Sequence, residues 1–142
     1  MNIEEQIQEY IDCSESNKKD GLLNLHLFIK ALIPHAKLWF LDGKDGNGKV
    51  VANPNIGYGE LQVKNKSGMG KDFYQIGLSA NTTGISMYVM GLSDKNYLSN
   101  NYAERIGKAS VTSYCIKFKA LSAIDLAVLE ELIQNVLKQT GN

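Results

Sequence analysis

Six side chains, Trp39, Tyr58, Glu60, Tyr74, Tyr88 and Arg105, carry the most suggestive chemistry in this sequence. Tyr58 stands between Gly57 and Gly59, and glycine inside a strand lets another backbone or a ligand come close. With Tyr58, Tyr74 and Tyr88 on neighbouring strands, their hydroxyls would line a cleft with an apolar floor. Small-molecule sites have that make-up: apolar walls and a few placed polar groups. Trp39 adds the only indole, and Glu60 and Arg105 are the candidates for the polar end. The competing reading makes the same rings cross-strand packing pairs whose hydroxyls reach water.

Other constellations fit reactive chemistry less well. Asp42 to Gly48 resembles a calcium loop, but either register puts a lysine (Lys44 or Lys49) where an oxygen ligand belongs. Gly68-Met69-Gly70-Lys71 resembles a phosphate loop, yet Asn65 replaces its first glycine and Asp72 its hydroxyl residue. A zinc centre needs several convergent ligands, whereas His26, His35, Cys13 and Cys115 lie in unrelated local contexts. His26 falls near an apolar helical stripe and reads as a packed residue, and His35 as a helix-end residue. A dyad of Cys115 with His26 or His35 is the one nucleophilic pairing the sequence leaves open. No nucleophile with an adjacent base is named by spacing, so an enzyme is the less favoured reading. Glu5, Glu9 and Asp12 recur at i, i+4, i+7 and form a helical stripe of carboxylates. Such acids near a helix start suit the helix dipole and are ordinarily solvated.

These residues need a scaffold. Ile3, Ile7 and Ile11 predict a short amphipathic helix over 2–12. A polar break at 14–19 precedes a second helix from Asp20, its expected N-cap, to Leu32, stopped by Pro34. Leu38 to Leu41, Val50-Val51 and a run from Ile56 or Gly57 to Lys64 read as strands. Lys71 to Leu92 reads as a hairpin turning at Asn81-Thr82-Thr83-Gly84, and it is the expected centre of the sheet. Its alternation sets Tyr74, Ile76, Leu78 and Ala80 against Phe73, Gln75, Gly77 and Ser79. The second arm sets Ile85, Met87 and Val89 against Ser86, Tyr88 and Met90. A helix from Ser93 or Asp94 to Ile106, a strand from Ser113 to Phe118, and a long closing helix opened by Ser122 and Asp125 complete the chain. No βαβ repetition appears. The expected fold is therefore α+β, one domain over 1–142, with a mainly antiparallel sheet of about five to six strands packed against N- and C-terminal helices.

The 142 residues suffice for one core without metal or disulfide support. Fifteen basic residues balance fifteen acidic ones, and Arg105 is the single arginine, which argues against nucleic-acid binding. The first residues lack a signal-peptide pattern and no apolar run reaches bilayer length. A cytoplasmic location with both cysteines reduced is expected, with no membrane partner.

Three pieces together carry a family likeness. They are Asn53-Pro54-Asn55-Ile56-Gly57-Tyr58-Gly59; Met87-Tyr88-Val89-Met90-Gly91; and Gly107-Lys108 leading through Ser113 to Phe118 and on to Ile124-Asp125. They resemble the YdhG-like bacterial proteins, a domain of unknown function, over most of the chain from the second helix onward. Where many members continue with a Met-Pro-like segment, this chain has Glu60-Leu61. The resemblance implies a cytoplasmic α+β domain. Some relatives are described as frataxin-like iron chaperones, a role resting on clustered carboxylates, for which Glu5, Glu9 and Asp12 are the set here.

The functional expectation is a non-catalytic domain binding a small molecule in an aromatic cleft on the sheet, with no cofactor identified. An iron-binding chaperone is the first alternative. A self-associating module, a homodimer formed through the sheet, is the second.

Overall fold

Short runs of alternating apolar and small residues build the sheet, and longer runs with helical spacing cover one of its faces. The computed structural model describes residues 2–64, 70–82 and 84–140, with the backbone alone at 62–64, 70 and 71. In chain order the elements are α1 (Ile3–Asp12), α2 (Ser16–Leu32), β1 (Leu38–Leu41), β2 (Asn55–Tyr58), β3 (Leu61–Lys64), β4 (Gly70–Phe73), β5 (Ile76–Asn81), β6 (Gly84–Val89), α3 (Tyr97–Tyr102), β7 (Ser110–Val111), β8 (Cys115–Phe118) and α4 (Leu126–Thr140). Six strands form one sheet in the order β1-β2-β5-β6-β8-β7, and every pairing in it is antiparallel. Strands β3 and β4 pair only with each other, as a separate antiparallel arm.

One core lies between the sheet and the helices. Ile56, Ile76, Leu78, Ile85, Met87, Val89, Ile116 and Phe118 face Ile7 and Ile11 of α1, Leu22, Leu25 and Ile29 of α2, and Leu129, Leu132, Ile133 and Val136 of α4. The expected α+β fold, with an antiparallel sheet and helices from both chain ends, is the fold observed. The β5–β6 hairpin sits at its middle, as the alternation predicted. Gly84 turns that hairpin with φ +146, and the Asn81 side-chain oxygen accepts a hydrogen bond from its N–H at 3.1 Å.

Several local expectations change. Helix α2 begins at Ser16 with Glu15 at its N-cap, so Asp20 lies inside the helix and caps nothing. The run from Ile56 to Lys64 is two strands in two different sheets. Gly59, at φ +82, and Glu60 break it, because no side chain tolerates that backbone as glycine does. The first hairpin arm is likewise interrupted at Tyr74-Gln75, between β4 and β5. Val50 contributes only a bridge to Lys44, and it stays exposed with Val51. The α3 helix is shorter than the 93–106 span expected, and β7 was not anticipated. Of the phosphate-loop reading, residues 65–69 lie outside the described part of the chain.

Candidate functional site

The sheet itself separates the tyrosines that sequence reading placed in one cleft. Along β2, Ile56 and Tyr58 point to the helices, and Gly57 points away from them. Tyr58 is fully buried, and its hydroxyl lies 2.5 Å from His26 Nδ1 on α2. Burial raises the Tyr58 pKa well above its usual value and lowers that of His26 to about 4, with nearby Lys30 adding to the second shift. The phenol therefore keeps its proton and donates to a neutral imidazole. This pair ties α2 to the sheet and is closed to a ligand. The expectation that Tyr58 lines a shared cleft with Tyr74 and Tyr88 is overturned, since successive strand residues face opposite sides.

On the outer face, pairing register aligns Trp39, Gly57, Gly77, Tyr88 and Cys115 in one row across five strands. Tyr74 lies over the two glycines, not with Ile76 and Leu78 as its parity suggested. Its position in the β4–β5 break releases it from the alternation of either strand. A Cβ on Gly77 would come within 2.6 Å of the Tyr74 ring, and one on Gly57 would press on it more closely still. Phe73 stacks on Tyr74 at 4.1 Å between centroids and meets Trp39 edge-on at 6.2 Å. Tyr74 is 3% exposed, so its own ring fills the trough over the two glycines. Burial pushes the phenols of Tyr74 and Tyr88 upward, and the Cys115 thiol with them. Cys115 and His26 lie on opposite faces of the sheet, so these two cannot form a dyad.

Arg105 is placed elsewhere again. It forms a two-pronged ion pair with Glu131 of α4 at 2.8 and 2.9 Å, and it lies over the Tyr102 ring at 5.6 Å. Its polar role in a sheet-face site is corrected to a surface link between the segment after α3 and α4. Glu5, Glu9 and Asp12 are exposed along α1. Among the described residues no group of three His, Cys, Asp or Glu side chains converges in a way that could hold a metal ion. In the loop at 42–48, the Asp45 carboxylate accepts from the Asn47 and Lys49 backbone amides, at 2.9 and 3.0 Å, which is turn chemistry.

One of the six residues, Glu60, lines a cleft of about 590 Å³, and Trp39 stands behind its wall, bonded to Gly59. Helix α2 ends at Ile33 because Pro34 follows, and the chain turns through His35 and Ala36 to Lys37. The far wall is Gly59 and Glu60 after β2, with Gln75 beneath and Leu137 of α4 at the side. Hydrogen bonds fix the frame: Gly59 N–H donates to the Lys37 carbonyl at 2.8 Å, and Trp39 Nε1 donates to the Gly59 carbonyl at 2.8 Å. The buried Gln75 donates through Nε2 to Thr140 Oγ1 at 3.1 Å. Lys37 Nζ pairs with Glu60 at 3.0 Å and sits 4.4 Å from the Trp39 ring centroid. Both charged side chains remain about half exposed and free to change partner.

Sequence reading missed His35, Lys37 and Gln75 because the cleft joins segments far apart in the chain. The usable signals were the glycine break at Gly59 and the proline stop at Pro34, each of which ends an element beside the cleft. Comparison of the chain with known protein families, curated proteins and solved structures found no match.

Proposed function

We propose that this chain is a non-catalytic binding domain for a small polar molecule, with its site in the cleft between the end of α2 and the β2–β3 junction. The observation that carries the reading is the cleft's lining. A single Lys37–Glu60 pair and the anchored Gln75 amide stand over an apolar floor of Ile33, Pro34 and Leu137. Its volume falls within the range of about 300–1,000 Å³ common to ligand pockets. A ligand carrying both an ammonium and a carboxylate matches the site, because it can replace each partner of the ion pair with its own opposite charge. Trp39 contributes from behind, by holding Gly59 and Lys37 in place. The YdhG-like likeness belongs to the same proposal, since its Ile56-Gly57-Tyr58-Gly59 element leads directly into the cleft.

Thermal-shift and ligand-observed NMR screening of zwitterionic metabolites tests the reading. A ligand-dependent rise in Tm is expected in the wild type, and its loss is expected in both Lys37→Ala and Glu60→Ala. Equal responses in the wild type and both variants, or no response across the panel, would remove the cleft as the site. Tyr58→Ala is unsuited to this test, because truncating a buried ring opens the core.

A further inference from the structure

A second hollow, of about 260 Å³, lies between the α1–α2 turn and the tip of the β5–β6 hairpin. Lys18, in the first turn of α2, forms part of its wall and is only 6% exposed. Lysine is rarely buried to this degree, since its ammonium carries three N–H donors and a full charge. Its ion-pair partner among the described residues is Glu15 at 3.3 Å, and the Glu15 side chain is 73% exposed. A carboxylate mostly in water, three residues away on the same helix, is a weakly held partner that can swing out at little cost. The N-cap of α2 makes no side-chain capping bond, so the positive end of the helix dipole adds to the same potential.

Next to this hollow runs a groove of about 240 Å³, and Tyr10 and Cys13 border both. The groove is walled by the Tyr10 and Phe40 rings, 5.6 Å apart, and Glu9 stands on its rim. The geometry points to a binding site for a small amphipathic monocarboxylate, its acid group on the Lys18 ammonium and its short aliphatic part laid past Cys13 onto Tyr10 and Phe40. The incoming acid takes the place of Glu15, so the buried cation stays paired throughout. Glu9 repels a second negative charge at the apolar end, which restricts the ligand to one acid group. A single lysine, with no arginine in either lining, suits a singly charged carboxylate better than the more highly charged phosphate.

This site shares no residue with the cleft at the end of α2 and does not depend on it. The test is titration of the full chain with hexanoate, hexanol and inorganic phosphate, followed by amide NMR and calorimetry. Hexanoate is expected to move the amides of residues 13–18 and 80–82, with hexanol and phosphate binding far more weakly. Lys18→Met should weaken hexanoate by about tenfold or more, the effect of losing a charge-assisted hydrogen bond. Glu15→Gln, an exposed change compatible with folding, should tighten it by removing the competing carboxylate. Hexanol binding as well as hexanoate, no tightening in Glu15→Gln, or amide shifts confined to other segments would each overturn the assignment. Stronger binding of phosphate would overturn the carboxylate class. Should Lys18→Met fail to fold, the hexanol comparison and Glu15→Gln decide the matter alone.

Discussion

Tyr74 shows how a single side chain can claim a face of a sheet. Its ring occupies a trough that exists because positions 57 and 77 have no Cβ, and those two glycines are paired across β2 and β5. The glycines are thus required by sterics; neither has a positive φ. Replacing Gly77 with Ala should force the ring out of its seat and cost about 1–3 kcal/mol, the usual range for overpacking. Chemical denaturation of Gly77→Ala, Tyr74→Ala and the double variant measures this. The double variant should lose less than the two single losses added together, because removing the ring removes the three atoms nearest the new methyl. Strict additivity would show that the ring and the glycine are not coupled.

Among the elements, α4 depends most on one residue for its start. The Asp125 carboxylate accepts from the Ala127 and Val128 amides at 3.0 and 3.3 Å, while its carbonyl accepts from Leu129 N–H at 3.0 Å. Asp125 is therefore the cap itself, and not the fourth residue of a box opened by Ser122, which lies in a short 3₁₀ turn over Leu121–Ala123. Asp125→Ala should lower stability by about 1 kcal/mol, read from the urea midpoint at unchanged slope. Ser122→Ala should leave the midpoint nearly unmoved. Acids of α1 have local roles too, with Gln8 bonded to Asp12 of the stripe at 2.9 Å and Glu4, outside it, lying 3.8 Å from Lys30 of α2.

At the scale of the whole molecule, the buried His26–Tyr58 pair makes folding sensitive to acid. Unfolded His26 takes up its proton below about pH 6.5, whereas the folded residue resists until about pH 4, because burial and the Lys30 charge oppose the imidazolium and Glu4 only partly offsets them. Between those values the unfolded state binds more protons, so stability falls as pH falls and is restored above pH 6.5. The expected loss is about 2 kcal/mol across the window once solvent screening is allowed for. Denaturation midpoints of wild type and His26→Gln, followed from pH 7 to pH 4, check it. The variant should start lower and show a shallower slope, and parallel slopes would remove His26 as the source. No helix among the described residues is long and apolar enough to cross a membrane, in line with the lack of any apolar run of bilayer length in the sequence.

Sequence alone determined the α+β class, the antiparallel hairpin at the middle of the sheet, and the apolar faces of α1, α2 and α4. Those features follow from local periodicity, which every residue in a run reports together. It also marked Gly57, Tyr58 and Gly59 as unusual, but not why: Gly57 seats Tyr74, Tyr58 bonds His26, and Gly59 turns the chain beside Gln75. Only the tertiary structure decided which face each tyrosine occupies, since one break at Tyr74-Gln75 reverses the parity that a continuous strand would impose. Only it brought Lys37, Glu60, Gln75 and Leu137 to one cleft, or buried Lys18 behind the β5–β6 tip. Such meetings depend on how elements distant in the chain pack, and no periodicity along the chain records that packing.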